Sequence, residues 1–304
     1  MEHINAINFA PFGGKGAFDS DAARESLRLM RERTGASHVI FTPSGFQQTP
    51  QSEDIIFDGE WNMPDAELAA FTEYAQGLGL KVILKPTINC MNGTWRAFIN
   101  FFDNEVPPEP KWSKWFRSHT AFHLHYAALA RELGCVMYIT GCEMVMAERK
   151  SAHWRELVAE CRAAFGGLVS YNTDKYQEDA VDWWDAVDVI SSSGYYPTGS
   201  WDTQLDRIER VVRQFDKPFF FAEIGCMSAV GSPKVPNDWQ AGGEASGEEQ
   251  AAWYREMFEK TRARDWVGGY GLWSWQGDLS DLDERGYSLY GKPAETVVRE
   301  AFTK

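Results

Sequence analysis

Two apolar runs in this sequence close on a glutamate: "MYITGCEM" carries Glu143 and "FFFAEIG" carries Glu223. An ionised carboxylate buried without a partner is costly, so the charge at the end of each run calls for a use. Two carboxyls can divide the cleavage of a glycosidic bond between them. One donates a proton to the leaving oxygen, while the other attacks the sugar carbon or activates water. In that division, burial and a second carboxylate would raise the pKa of Glu143 towards a general acid's, and Glu223 would stay ionised as the nucleophile. Either glutamate alone reads more simply as a salt-bridged strand end. The pair, set among other polar and aromatic run ends, is what points to chemistry.

Those other ends are Lys85 with Asn89 just beyond it, Asn172, Tyr195 with Tyr196, and Trp273 with Trp275. Other chemistry has weaker support. His119 and His123 in "SHTAFHLHY" stand four apart, a spacing that can grip a metal, but they lack the HExxH glutamate and fall mid-helix, where packing is the simpler role. Cys142 next to Glu143 has no legible base or electropositive neighbour, so it reads as an inert buried thiol and not as a nucleophile. "PFGGKGAF" fits neither GxGxxG nor GxxxxGK[ST] and reads as a turn. Trp112, Trp115 and Phe116 follow the Pro-rich loop and could stack on sugar faces, but Trp112 and Trp115 are spaced like a helix stripe and packing is the simpler role; Trp183, Trp184 and Trp253 also read as helix packing. Trp239, in a long loop, is a candidate sugar platform.

The elements that must position these residues recur as a unit: a helix-period stretch, a Gly or Pro break, then a short apolar run. Leu68, Phe71, Ala75 and Leu78 keep one helical face before "GLKVILKP", and Leu205, Ile208, Val212 and Phe215 do so before "KPFFFAEIG". With "INAINFAP", "GASHVIFTP", "GCVMYITGCE", "GGLVSYN", "DVISSSGYYP" and "GGYGLWSW", the runs make eight candidate strands. Continuous apolar strands alternating with amphipathic helices imply parallel βα units, and eight of them predict an α/β fold of the closed (β/α)8 barrel type, a single domain over 1–304. In such a barrel the site lies at the C-terminal strand ends, where the glutamates stand. The Pro-rich "EVPPEPKW" and the stretch "GSPKVPNDWQAGGEASGEE" would be loops walling a cleft.

A net charge of -14 disfavours a nucleic-acid partner. No stretch reaches the length of a membrane span, and the start, "MEHINAINFAPF", has no signal-peptide pattern, so a cytoplasmic protein is expected, or a secreted one whose signal has been removed. Five cysteines without a CxxC pair argue for free thiols.

"VILKPTIN" followed by "GTWRAFI", then "HLHYAALARELGCVMYITGCEM", "DVISSSGYYP", "FFFAEIGC" and "GKPAETVV", together resemble glycoside hydrolase family 113, the β-mannanase-like branch of clan GH-A. The resemblance covers nearly the whole chain. It implies a retaining double displacement with Glu143 as acid/base and Glu223 as nucleophile. It further implies Tyr195 as a hydrogen-bond donor to the nucleophile, Trp273 as the floor under the reacting sugar, and Lys85, Asn89, Trp95 and Asn172 on sugar hydroxyls. The wider clan places Asn before the acid/base to meet the sugar 2-hydroxyl, where this chain has Cys142, and Thr87 stands where the mannanase pattern has His. The expectation is therefore a retaining hydrolase of β-1,4-linked mannan or manno-oligosaccharides, partnered by oligosaccharide or polysaccharide and needing no cofactor or metal. The alternatives are an exo-acting β-glycosidase for another sugar, or a sugar-binding barrel without catalysis. The oligomeric state is left open.

Overall fold

The computed structural model describes residues 1–240 and 242–304. In chain order its strands are β1 (Ile4–Phe9), β2 (His38–Phe41), β3 (Ser44–Gln47), β4 (Lys81–Leu84), β5 (Thr87–Cys90), β6 (Met137–Cys142), β7 (Leu168–Thr173), β8 (Val189–Ser193), β9 (Phe219–Ile224) and β10 (Val267–Trp275). Eight of them close into a parallel barrel in the order β1-β10-β9-β8-β7-β6-β4-β2, as expected from the eight apolar runs. β3 and β5 pair with each other beyond the mouth, continuing β2 and β4 past Pro43 and Pro86. A proline cannot donate to a ladder, so each breaks its strand and lets the chain resume as a small second sheet.

Helices α1 (Asp21–Thr34), α2 (Asp65–Gly77), α3 (Trp112–Glu132), α4 (Ser151–Phe165), α5 (Trp201–Phe215), α6 (Gly247–Arg262) and α7 (Pro293–Phe302) surround the barrel. Their limits follow local chemistry. Ser20 caps α1 by accepting from the Ala23 N–H, and Gly35 closes it in the left-handed conformation. Between β7 and β8 the structure has only a 3-10 turn, Trp184–Ala186, so Trp183 and Trp184 do not pack from an α-helix as the sequence suggested. They are fully buried in a helix's place, Trp183 stacked on Trp154 at 5.1 Å, and their indole N–H groups donate to the Glu148 and Glu178 carbonyls. Trp253 packs within α6 as expected.

The lower lumen is a dry cluster of Ile4, Ala6, Ile40, Ile83, Met137, Ile139, Val189, Phe220 and Ala222. A larger apolar layer lies between barrel and helices. Strict alternation along β9 would send Glu223 to the opposite face from Ala222, and along β6 would send Cys142 opposite Ile139. The ladder slips in both places, between Ser192 and Ser193 against β9 and between Ile139 and Cys142 in β6. Such irregularities re-aim side chains, and here they turn Cys142 and Glu223 into the mouth.

His119 and His123 are fully buried in α3, their Nε2 atoms 3.1 Å apart, with His123 Nδ1 2.8 Å from the Tyr138 hydroxyl. His119 stacks on Trp115 at 4.5 Å. All five cysteines are free and buried. No helix among the described residues is long and apolar enough to cross a membrane.

Candidate active site

Glu223, near the end of β9, is 5% exposed and surrounded by donors. Its Oε1 accepts from Lys85 Nζ at 2.5 Å and from the Cys142 thiol at 3.2 Å, and its Oε2 from the Tyr195 hydroxyl at 3.1 Å. Burial alone would raise the carboxyl, but the Lys85 ammonium, its hydrogen bond, Arg96 and the thiol outweigh it and hold Glu223 below the usual carboxylate range. Burial, then the Glu223 charge, pushes the Cys142 thiol and the Tyr195 phenol well upward, so both stay protonated as donors. Gly225 follows because nothing larger fits: a Cβ there would come within 2.3 Å of the Trp273 carbonyl oxygen.

Glu143, one residue past β6, has a left-handed backbone with φ of 54°. For a residue with a Cβ this costs about 1 kcal/mol. It stops the strand and swings the carboxyl over the mouth, while the Glu143 N–H still bonds the Asn172 carbonyl at 2.8 Å. Oε1 accepts from the Ser193 hydroxyl at 2.8 Å, and Oε2 from Trp95 Nε1 and Arg96 Nη1, both at 3.2 Å. Arg96 is fixed in turn by the Ile88 carbonyl at 2.9 Å and Asn89 Oδ1 at 3.3 Å. The β3–β5 sheet sets this arrangement, because Ile88 and Asn89 lie on β5.

Oxygens of the two glutamates and the Cys142 sulfur lie within 4.8 Å of one another. So near an approach of one oxygen from each carboxyl accords with the short separation, about 5 Å, of carboxyls that act together by displacement. The three atoms have the spacing of a metal cluster, yet each glutamate already faces a protein cation and the thiol is pushed upward to its protonated form. A chain of net charge -14 thus builds a local site of two carboxyl groups each set against a cation.

The other expected residues divide into two groups. Trp273 is half-buried at the mouth, with Lys85 Nζ 5.5 Å from its ring centre and Phe12 edge-on at 5.7 Å. Trp95 is 41% exposed and Asn89 half-buried, both at the rim. Lys85 and Asn172, by contrast, are fully buried, Lys85 on Glu223 and Asn172 donating to the Thr173 carbonyl and the Ser193 hydroxyl. Trp275, also a run end, turns outward and donates to Ser26. Arg96 and Ser193 were missed, although Arg96 stands out as a lone cation inside the apolar "WRAFI" and Ser193 closes the run "ISSS". Asp174 was missed too. Burial, then the Glu143 charge, pushes it to about 7, and nothing in its sequence context signals this.

A family model, Glycoside Hydrolase Family 113, matches residues 7–292. The chain belongs to glycoside hydrolase family 113. A solved family 113 β-1,4-mannanase, determined as a complex, is 52% identical with a TM-score of 0.98 over 100% of both chains. The family 113 β-mannanase of Alicyclobacillus acidocaldarius, in complex with ManMIm, is 38% identical with a TM-score of 0.95 over 100% of this chain and 98% of that one. A β-glucuronidase of Ruminococcus gnavus, 13% identical with a TM-score of 0.65 over 99% of this chain and 50% of that one, shares the barrel fold. No curated protein matches in sequence. Membership makes this chain a glycoside hydrolase on a (β/α)8 barrel.

Proposed function

We propose that this family 113 protein hydrolyses β-1,4-linked mannan or manno-oligosaccharides with retention, Glu223 acting as nucleophile and Glu143 as acid/base. The observation that carries the reading is the approach of the two carboxylates to within 4.8 Å at the barrel mouth, in a chain 52% identical over its full length to a β-1,4-mannanase.

The reacting sugar rests on Trp273 between the glutamates. Glu223, held ionised, forms a bond to the anomeric carbon as the glycosidic bond breaks, and the leaving oxygen takes the Glu143 proton. Glu143, now ionised, then takes a proton from water as the water displaces Glu223. Lys85 and Tyr195 keep Glu223 oriented, and the Lys85 ammonium keeps it charged, until it attacks. Asn89 at the rim is available to a sugar hydroxyl and the exposed ring of Trp95 to a sugar face, whereas Lys85 and Asn172 support the pair itself. The scheme uses no cofactor.

A product time course with mannopentaose, run with the intact protein and with Glu223→Ala, tests the reading. Mixed-length early products that vanish in the variant are expected for endo cleavage by this nucleophile. Stepwise release of mannose or mannobiose would make the enzyme exo-acting. An unreactive intact protein would overturn the substrate assignment.

A further inference from the structure

The residue before the acid/base is a cysteine, and its sulfur faces the other glutamate. We propose that Cys142 is a positioning residue for the displacement: its thiol and the Lys85 ammonium together occupy Oε1 of Glu223, which leaves Oε2 as the oxygen that attacks the sugar carbon. The inference rests on Glu223 being the nucleophile.

A carboxylate oxygen offers about two lone-pair sites. Oε1 of Glu223 has both in use, by Lys85 Nζ at 2.5 Å and Cys142 Sγ at 3.2 Å. Oε2 has one in use, by the Tyr195 hydroxyl at 3.1 Å, and keeps one free for the bond to carbon. Cys142 is 1% exposed, so its thiol has no water to turn to, and the break in register between Ile139 and Cys142 is what aims it inward. The groups that face Glu223 are Lys85 beyond β4, Arg96 from a 3-10 turn (Arg96–Phe98) after β5, Cys142 and Glu143 at the end of β6, Tyr195 beyond β8 and Tyr287 beyond β10.

The consequence falls on the second half of the reaction. In the first step the electron pair of Oε2 makes the ester while the glycosidic pair leaves with the Glu143 proton, and Oε1 becomes the ester carbonyl. In the second step water gives its proton to Glu143 and its oxygen to the anomeric carbon, and the Oε2 pair returns to Glu223 as a carboxylate. Negative charge then grows on Oε1, where the ammonium and the thiol stand ready. Loss of the thiol donor makes Glu223 a poorer leaving group and slows this step, with little cost to the first.

The test uses a dinitrophenyl β-mannobioside, whose good leaving group makes kcat report the second step. Cys142→Ala is expected to lower kcat about tenfold, to lower KM in parallel so that kcat/KM holds, and to show a stoichiometric burst of dinitrophenol. Cys142→Ser, which retains a donor, should recover kcat and lose the burst. Equal losses of kcat/KM in both variants without a burst would make Cys142 a packing residue and overturn the inference. A second measurement needs no turnover: 13C titration of the Glu223 carboxyl, its resonance assigned through Glu223→Gln. The midpoint should rise in Cys142→Ala and hold in Cys142→Ser, and an unmoved midpoint in both would also overturn the inference. If the intact protein leaves the mannobioside untouched, the substrate reading falls, and the titration still decides the role of the thiol.

Discussion

Two glutamates are buried on opposite sides of the barrel wall, Glu223 in the lumen and Glu148 outside β7, and the two have opposite character. On the lumen side, near the end of β9, Glu223 is held by an ammonium, a thiol and a phenol and stays below the usual carboxylate range. On the outer side, Glu148 accepts from the Tyr171 hydroxyl at 2.7 Å and the Thr173 hydroxyl at 2.6 Å. Burial pushes it up to about 8, with the two hydroxyls opposing. The burial is alike and what differs is the cation. Hydroxyl donors alone do not offset desolvation of a carboxylate, whereas a contacting ammonium does. The outer site is a neutral brace for the β6–α4 loop, and the lumen site keeps an ionised group ready to react.

The largest effect should come from making the lumen site resemble the outer one. Lys85→Met removes the ammonium, and Glu223 should take up a proton as Glu148 does. Activity at pH 7 is expected to fall by about two to three orders of magnitude, or about 3–4 kcal/mol, with the acidic limb of the kcat/KM profile displaced upward. An unmoved limb would break the comparison. Arg96→Met, which strips one cation from Glu143 but leaves its Trp95 and Ser193 donors, should cost about 10- to 100-fold in kcat/KM.

Glu148→Gln should barely change the rate, because the residue it replaces is already largely protonated at neutral pH. Its signature is in stability. A carboxyl raised from 4.5 to about 8 on folding contributes stability that is fully present below 4.5 and is lost as pH rises through 8. The melting temperature of the parent should therefore sag across that window and that of Glu148→Gln should sag less, as calorimetry at pH 5 and pH 8 would show. The histidines act in the other direction. Burial lowers His123 to about 3 and His38 to about 4 from 6.5, so the stability of their neutral forms is lost as pH falls from 6.5 through those values. The smallest effect is expected at Trp239, 71% exposed in the loop after β9. Trp239→Ala should leave the melting temperature within about 1 °C and raise KM for mannopentaose about threefold if the ring stacks on sugar.

The sequence by itself determined the barrel and the two glutamates at its mouth. Strand runs such as "KVIL" and "FFFAEI" declare themselves by local composition, and the C-terminal ends of parallel strands meet at one rim however the side chains settle. Local pattern could not reveal where alternation fails. Glu223 and Cys142 reach the lumen only because β9 and β6 slip register, and register is decided by the neighbouring strands once the ring closes. Nor could it pair Lys85 with Glu223, 138 residues away, or set Arg96 on Glu143 through the β3–β5 sheet. The missing helix between β7 and β8 is of the same kind, since Trp183 and Trp184 fill its place by packing on residues remote in sequence. Secondary structure follows short-range propensity, whereas the charge state and aim of a buried group follow from whatever the closed fold sets against it. That is why the chain announced its carboxylates, and why only the tertiary structure decided which cation and which thiol would hold them.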